Sequence, residues 1–220
     1  MIYIDNAKDI LQVFFSAPTK PLYIREIAKN CKLSYERVHY YLKELEKINT
    51  LKAVTKGKIK EYQINPMNEL VLKVFSILEM ERRQEFYSKN PKVQVWVQKM
   101  LNELMSEDLI KKAVGRTKTD MKFILLFGSV ARKDAKDESD IDLLVVVKNK
   151  DSSFDKYVGL VKEKMYALTG KKFEIHTIEL KEMELKWKKE PIYSTIWQDR
   201  IVLYADEEFS RQILKLGEPI

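Results

Sequence analysis

The stretch Phe123-Ile124-Leu125-Leu126-Phe127-Gly128-Ser129-Val130-Ala131-Arg132, followed by Ser139-Asp140-Ile141-Asp142-Leu143-Leu144-Val145-Val146-Val147, decides the reading of this chain. An apolar strand runs into Gly-Ser and a short helical turn, and a second apolar strand then opens with Asp-x-Asp. Alternation along a strand puts Asp140 and Asp142 on one face, about 6.5–7 Å apart at Cα. Two carboxylates so placed repel each other unless a cation lies between them, and hard oxygen ligands favour Mg²⁺ or Mn²⁺. Gly128 allows a phosphate to approach the backbone closely, and Ser129 with the amides behind it can donate hydrogen bonds to that phosphate.

Working outward, Lys171-Lys172-Phe173-Glu174-Ile175-His176-Thr177 reads as a further strand carrying a third acid, Glu174. Between them Phe154–Leu168 is helix-like. The combination of Gly-Ser, Asp-x-Asp and a later acid, each on its strand, resembles the DNA polymerase beta-type nucleotidyltransferase superfamily, and most closely its minimal nucleotidyltransferase branch. The likeness spans about residues 110–206, closing with Glu190–Tyr204 as a helix and strand. It implies that Asp140, Asp142 and Glu174 are catalytic and hold two divalent ions. It also implies that Gly128, Ser129 and Arg132 bind a nucleoside triphosphate, ATP first among candidates. Lys133 departs from the resemblance, since many relatives have glycine after the arginine. The plainer alternative makes Asp140 a loop acid and Glu174 a surface residue of its strand. His176 shares the strand face of Glu174 and is expected to be partly buried.

The first 65 residues read as three helices and a hairpin. Ala7–Phe15 carries a stripe of Ile10, Leu11, Phe14 and Phe15, and Tyr23–Asn30 a shorter one of Ile24, Ile27 and Ala28. Ser34 is placed as the N-cap of a third helix, about Tyr35 to Ile48, with Val38, Tyr41, Leu42, Leu45 and Ile48 inward. Leu51–Thr55 and Ile59–Ile64 form two strands joined at Lys56-Gly57-Lys58. This order resembles a winged helix-turn-helix domain. The resemblance implies that Ser34, Tyr35, Arg37, His39, Tyr40 and Lys43 face double-stranded DNA, while Lys56, Lys58 and Lys60 meet phosphates. A protein-interaction or dimerisation module is the alternative.

Charge agrees with a polyanion partner without deciding it. Residues 1–65 hold twelve Lys/Arg against seven Asp/Glu, a net +5 out of +7 for the whole chain of 220 residues. The expected organisation is α+β. It comprises a winged helix-turn-helix over 1–65, a helical linker or dimerisation region over 66–109, and a transferase domain with a mixed sheet over 110–220. In the region over 66–109, Leu70, Val71, Val74, Phe75, Ile77 and Leu78 mark one helix, and Val95, Val97, Met100, Leu101, Leu104 and Met105 another; the two link the domains, form a dimer interface or begin the second fold.

Composition sets the remaining limits. Apolar residues make up 45% and aromatics 10%, which excludes a disordered chain. The longest apolar runs, Phe123–Phe127 and Leu143–Val147, are too short for a membrane span. Met1–Asp5 lacks the pattern of a signal peptide, and Cys31 is a lone cysteine; both point to the cytoplasm. The functions implied are transfer of a nucleotide to a hydroxyl, in the resembling branch that of a HEPN-type toxin, and regulation of transcription by a homodimer. The alternative is a regulator whose transferase fold only binds nucleotide or a partner protein.

Overall fold

The computed structural model describes residues 4–31, 33–57, 59–106, 120–136 and 139–219. The chain divides into two units. One runs to Leu78 and takes in Phe209–Glu218; the other spans Glu79–Glu208.

The first unit contains α1 (Ile4–Gln12), β1 (Leu22–Tyr23), α2 (Ile24–Cys31), α3 (Tyr35–Lys47), β2 (Leu51–Lys56) and β3 (Ile59–Ile64). Ser34 caps α3, its Oγ accepting from the Arg37 amide at 3.4 Å. Val38, Tyr41, Leu42 and Leu45 then fall on one helical stripe and are buried. Ile48, expected on that stripe, is exposed. The helix stops at Lys47 and Asn49 takes a left-handed φ of 57°, which turns Ile48 out of the row. The hairpin closes through Gly57 at φ 62°, with Lys56 opposite Ile59. Tyr23, expected in the second helix, instead lies in β1, where it pairs with Glu61 of β3; the sheet order is β1-β3-β2. Two residues are too short a strand to leave a periodic signal.

The second unit is built on a four-stranded mixed sheet, so the molecule is α+β as expected. Its strands are β4 (Met121–Phe127), β5 (Ile141–Val147), β6 (Phe173–Glu179) and β7 (Ile201–Tyr204), in the order β6-β5-β4-β7. β5 and β6 are parallel and the other pairs antiparallel. A parallel pair needs a crossover, and α7 (Ser152–Thr169) supplies it, started by an Asp151 cap and stopped by Gly170 at φ 66°. The central strands β4 and β5 are buried along almost their whole length because helices cover both sheet faces. α6 (Gly128–Arg132) follows β4, while α8 (Leu180–Lys186) and α9 (Ile192–Asp199) follow β6.

The helices over residues 66–109, read as a link, a dimer interface or the start of the second fold, divide between the two units. The first helix, α4 (Glu69–Lys89), contains the boundary between the units. Val71, Val74 and Phe75 belong to the first core, Phe86 and Tyr87 to the second. The second helix, α5 (Pro91–Leu104), contributes Val97, Met100, Leu101 and Leu104 to the core against the sheet, leaving Val95 and Met105 exposed. At the other end, α10 (Asp206–Leu216) gives Leu214 to the first core. The second unit therefore begins before residue 110, while Phe209–Glu218 belongs to the first.

One ion pair is fully enclosed. Arg200, which ends α9, donates from Nε to Glu79 Oε1 at 2.8 Å and lies 3.5 Å from the centre of the Trp197 ring. Both partners are 2% exposed. Among the described residues no helix is long and apolar enough to cross a membrane.

Candidate active site

Register places the acids. β4 and β5 pair so that Phe127 faces Asp142, and β5 and β6 pair so that Asp142 stands level with Glu174. Asp140 sits one residue before β5, where the Ile141 amide donates to the Lys172 carbonyl at 3.0 Å. The three acids thus gather at one end of two adjacent strands. Gly128 turns at φ 75° to start α6, and its Cα backs onto the Asp142 side chain so closely that a Cβ there would overlap Oδ2 and lie 3.1 Å from Cγ. Only glycine suits both demands.

Electrostatics marks Asp142 as the strained member. Burial pushes its carboxyl above the usual carboxylate range, and the charges of Asp140 and Glu174 push the same way against the opposing pull of His176. A group raised in the folded state favours folding while protonated and opposes it as pH rises through its folded pKa. Asp142→Asn is therefore expected to melt higher than wild type at pH 7–8, with the gain vanishing as pH falls through the carboxylate range. Thermal melts across pH check this; a lower melting temperature at pH 7 would count against it.

Two lysines that the sequence did not single out complete the cluster. Lys172 Nζ lies 2.7 Å from Asp140 Oδ2 and 3.9 Å from Glu174 Oε2. Lys162, on α7, donates to Glu174 at 3.2 and 3.3 Å. Strand alternation already puts Lys172 on the face of Glu174, but nothing in the sequence distinguishes Lys162 from the other lysines of its helix. Positive charge at this site therefore comes from the chain itself. Among the described residues, no group of three or more His, Cys, Asp or Glu side chains is arranged to hold a metal ion. The donor chemistry nevertheless suits a hard divalent cation, since every candidate ligand is a carboxylate and their mutual repulsion at Asp142 would be relieved by one.

The other expected residues divide. Ser129 is half-buried behind Gly128, and its carbonyl accepts from the Asp134 amide at 3.1 Å. Arg132 is engaged elsewhere, with Asp199 at 2.6 Å and Asp134 at 3.1 Å, tying α6 to the end of α9. His176 is exposed rather than partly buried, its ring 5.9 Å from that of Phe127. Lys133 holds a left-handed conformation, φ 68° and ψ 26°, which costs a side-chain-bearing residue about 1–2 kcal/mol. Lys133→Gly is expected to raise stability by about 0.5–1 kcal/mol, the remainder being lost to the freer unfolded chain. Urea denaturation measures it, and destabilisation would contradict it.

In the first unit, Ser34, Tyr35, Arg37, Tyr40 and Lys43 are exposed along α3, and His39 is half-buried with its ring stacked at 6.3 Å on Tyr35. Lys60 on β3 is exposed but paired with Glu46 at 2.9 Å, and it lies 5.2 Å from the centre of the Tyr62 ring. Lys56 ends β2. Lys58 lies outside the described residues.

A mixed sheet with Gly-Ser at the end of one strand and carboxylates level on the next two is the arrangement against which known proteins can be compared. Residues 108–209 match the family model of the polymerase beta nucleotidyltransferases. The matched nucleotidyltransferase domain contains the Gly-Ser turn and all three acids, and covers just under half of the chain. No curated protein matches the sequence. Three solved structures are similar to about half of the chain. A toxin–antitoxin crystal structure with AMP-PNP shares 16% identity over 52% of this chain and 84% of that one, with a TM-score of 0.32. The toxin–antitoxin MntA–HpeT mutant shares 13% over 49% and 79%, with a TM-score of 0.31. A Sulfolobus solfataricus protein assigned to the nucleotidyltransferases shares 15% over 50% and 86%, with a TM-score of 0.23.

Proposed function

We propose that this chain is a DNA-binding nucleotidyltransferase, transferring a nucleotide, AMP from ATP, to a hydroxyl of a protein or other acceptor. The observation that carries the reading is the close fit of Asp142 against Gly128 in a domain matched by the nucleotidyltransferase family. That fit sets a carboxylate directly beside the turn at Gly128.

In this reading Asp140, Asp142 and Glu174 hold Mg²⁺ or Mn²⁺, and Gly128 and Ser129 receive the phosphates of the triphosphate. The bound ions supply charge neutralisation of the phosphates and activation of the attacking hydroxyl. Lys162 and Lys172 partly neutralise Glu174 and Asp140 until a cation enters. Arg132, fixed by Asp134 and Asp199, adds a stationary positive charge beside α6. A HEPN-type toxin is one candidate acceptor. The first unit acts as a winged helix that sets α3 against double-stranded DNA, and a homodimer would match a two-fold operator.

A second reading, a regulator that binds nucleotide without transferring it, is favoured by the lysines already paired with Asp140 and Glu174. Thermal melts of the full chain test the site common to both. ATP with Mg²⁺ together is expected to raise the melting temperature by several degrees at saturation, and Asp140→Asn/Asp142→Asn to abolish the rise. No shift in the wild type would overturn the site.

A further inference from the structure

The second unit has a cleft of about 440 Å³ that the carboxylate site does not use. Its rim carries Lys89, Lys92, Lys133, Lys136 and Lys171, and no acidic residue lines it among the described residues. Its floor is apolar: Val93, Trp96, Val130 and Ile141. The two sites share elements but use opposite faces. Ile141 backs the cleft from the core while Asp142 lies against Gly128; Lys171 lies 5.3 Å from the centre of the Trp96 ring while Lys172 pairs with Asp140. The cleft also lies at the start of α5, where Asn90 makes no side-chain cap and the first turn holds no acid. Lys89 is paired with Glu85 on its own helix.

We propose that this cleft binds single-stranded nucleic acid, with a base against the apolar floor at Trp96 and the flanking phosphates on the lysine rim. A cationic rim around an aromatic floor matches a strand whose base faces are open. A duplex hides those faces in its stack and could use only the rim. An acidic peptide would satisfy the lysines but leave the floor unfilled. A free mononucleotide shares the chemistry of base and phosphate, yet it offers one phosphate cluster to five separate lysines. The site is independent of nucleotide transfer.

The test uses the full-length chain and a fluorescein-labelled oligouridylate of about fifteen nucleotides, followed by anisotropy between 50 and 200 mM salt. Affinity should fall with salt at a log–log slope of about −2 to −3.5, as expected when three to five phosphates are contacted at about 0.7 each. Lys92→Glu/Lys136→Glu should weaken binding at least tenfold and flatten that slope. The charge-matched control Lys148→Glu/Lys156→Glu, in exposed positions after β5 and on α7, should bind like wild type apart from a small uniform loss. Strand binding should quench indole fluorescence, since Trp187 and Trp197 are buried in the core while Trp96 lines the cleft. Equal losses in the two charge variants would overturn the proposal. So would full displacement of the strand by millimolar AMP, or a duplex whose binding depends equally on Lys92 and Lys136. Unchanged circular dichroism in each variant confirms that exposed side chains alone were altered.

Discussion

Glu79→Ala is expected to destabilise the protein by about 3–5 kcal/mol, a large share of the stability of any domain of this size. The reason is asymmetric. Burial pulls the Arg200 guanidinium down to about 10 even with Glu79 holding it up, and removing Glu79 leaves a buried cation without its carboxylate. At 2% exposure it has no water to turn to, and the contact with the Trp197 ring does not replace a carboxylate. Replacing both partners by apolar residues of similar volume, Glu79→Leu/Arg200→Met, should restore much of the loss. Urea denaturation of the two variants decides it. A loss under about 1 kcal/mol in Glu79→Ala would mean that Arg200 finds another partner.

Gly128→Ala is expected to reduce nucleotide transfer by at least about a hundredfold. The added methyl would overlap Asp142 Oδ2, and the φ of 75° adds about 1–2 kcal/mol of backbone strain for alanine. Asp142 must then move, and a displacement of about 1 Å at reacting groups carries a penalty of that order. Stability should fall by only the backbone strain and the local shift, so a folded but inactive protein is the expected outcome. Full activity in Gly128→Ala would show that Asp142 does not act from this position.

Much of the second unit was legible because its signals are local and repetitive. Two apolar strands, one ending in Gly-Ser and the other opening with Asp-x-Asp, specify their own faces, and the helix-like Phe154–Leu168 supplies the crossover that the resemblance implies. The register that sets Asp142 level with Glu174 is a finding of the structure. The rest depends on contacts between residues far apart. Glu79 and Arg200 meet across 121 positions, and neither has a neighbour in sequence that announces a buried pair. Lys162 reaches Glu174 only because α7 packs on β6. β1 is two residues long and exists because β3 offers it an edge. Residues 66–109 read as a linker because helical periodicity reports an apolar face without saying which core receives it. Val97 and Met100 turned out to pack against the sheet, while Val95, only two residues earlier, faces outward.

The central claim is that Asp140, Asp142 and Gly128 form a site at which a nucleotide is transferred. Purified full-length chain, Mg²⁺ and α-³²P-labelled ATP, GTP, CTP and UTP in cell lysate test it most directly, with Asp140→Ala/Asp142→Ala alongside. Label passing to a protein or nucleic acid with the wild type alone, most strongly from ATP, is the predicted result. No label from any of the nucleotides, or equal labelling by the double variant, would contradict it.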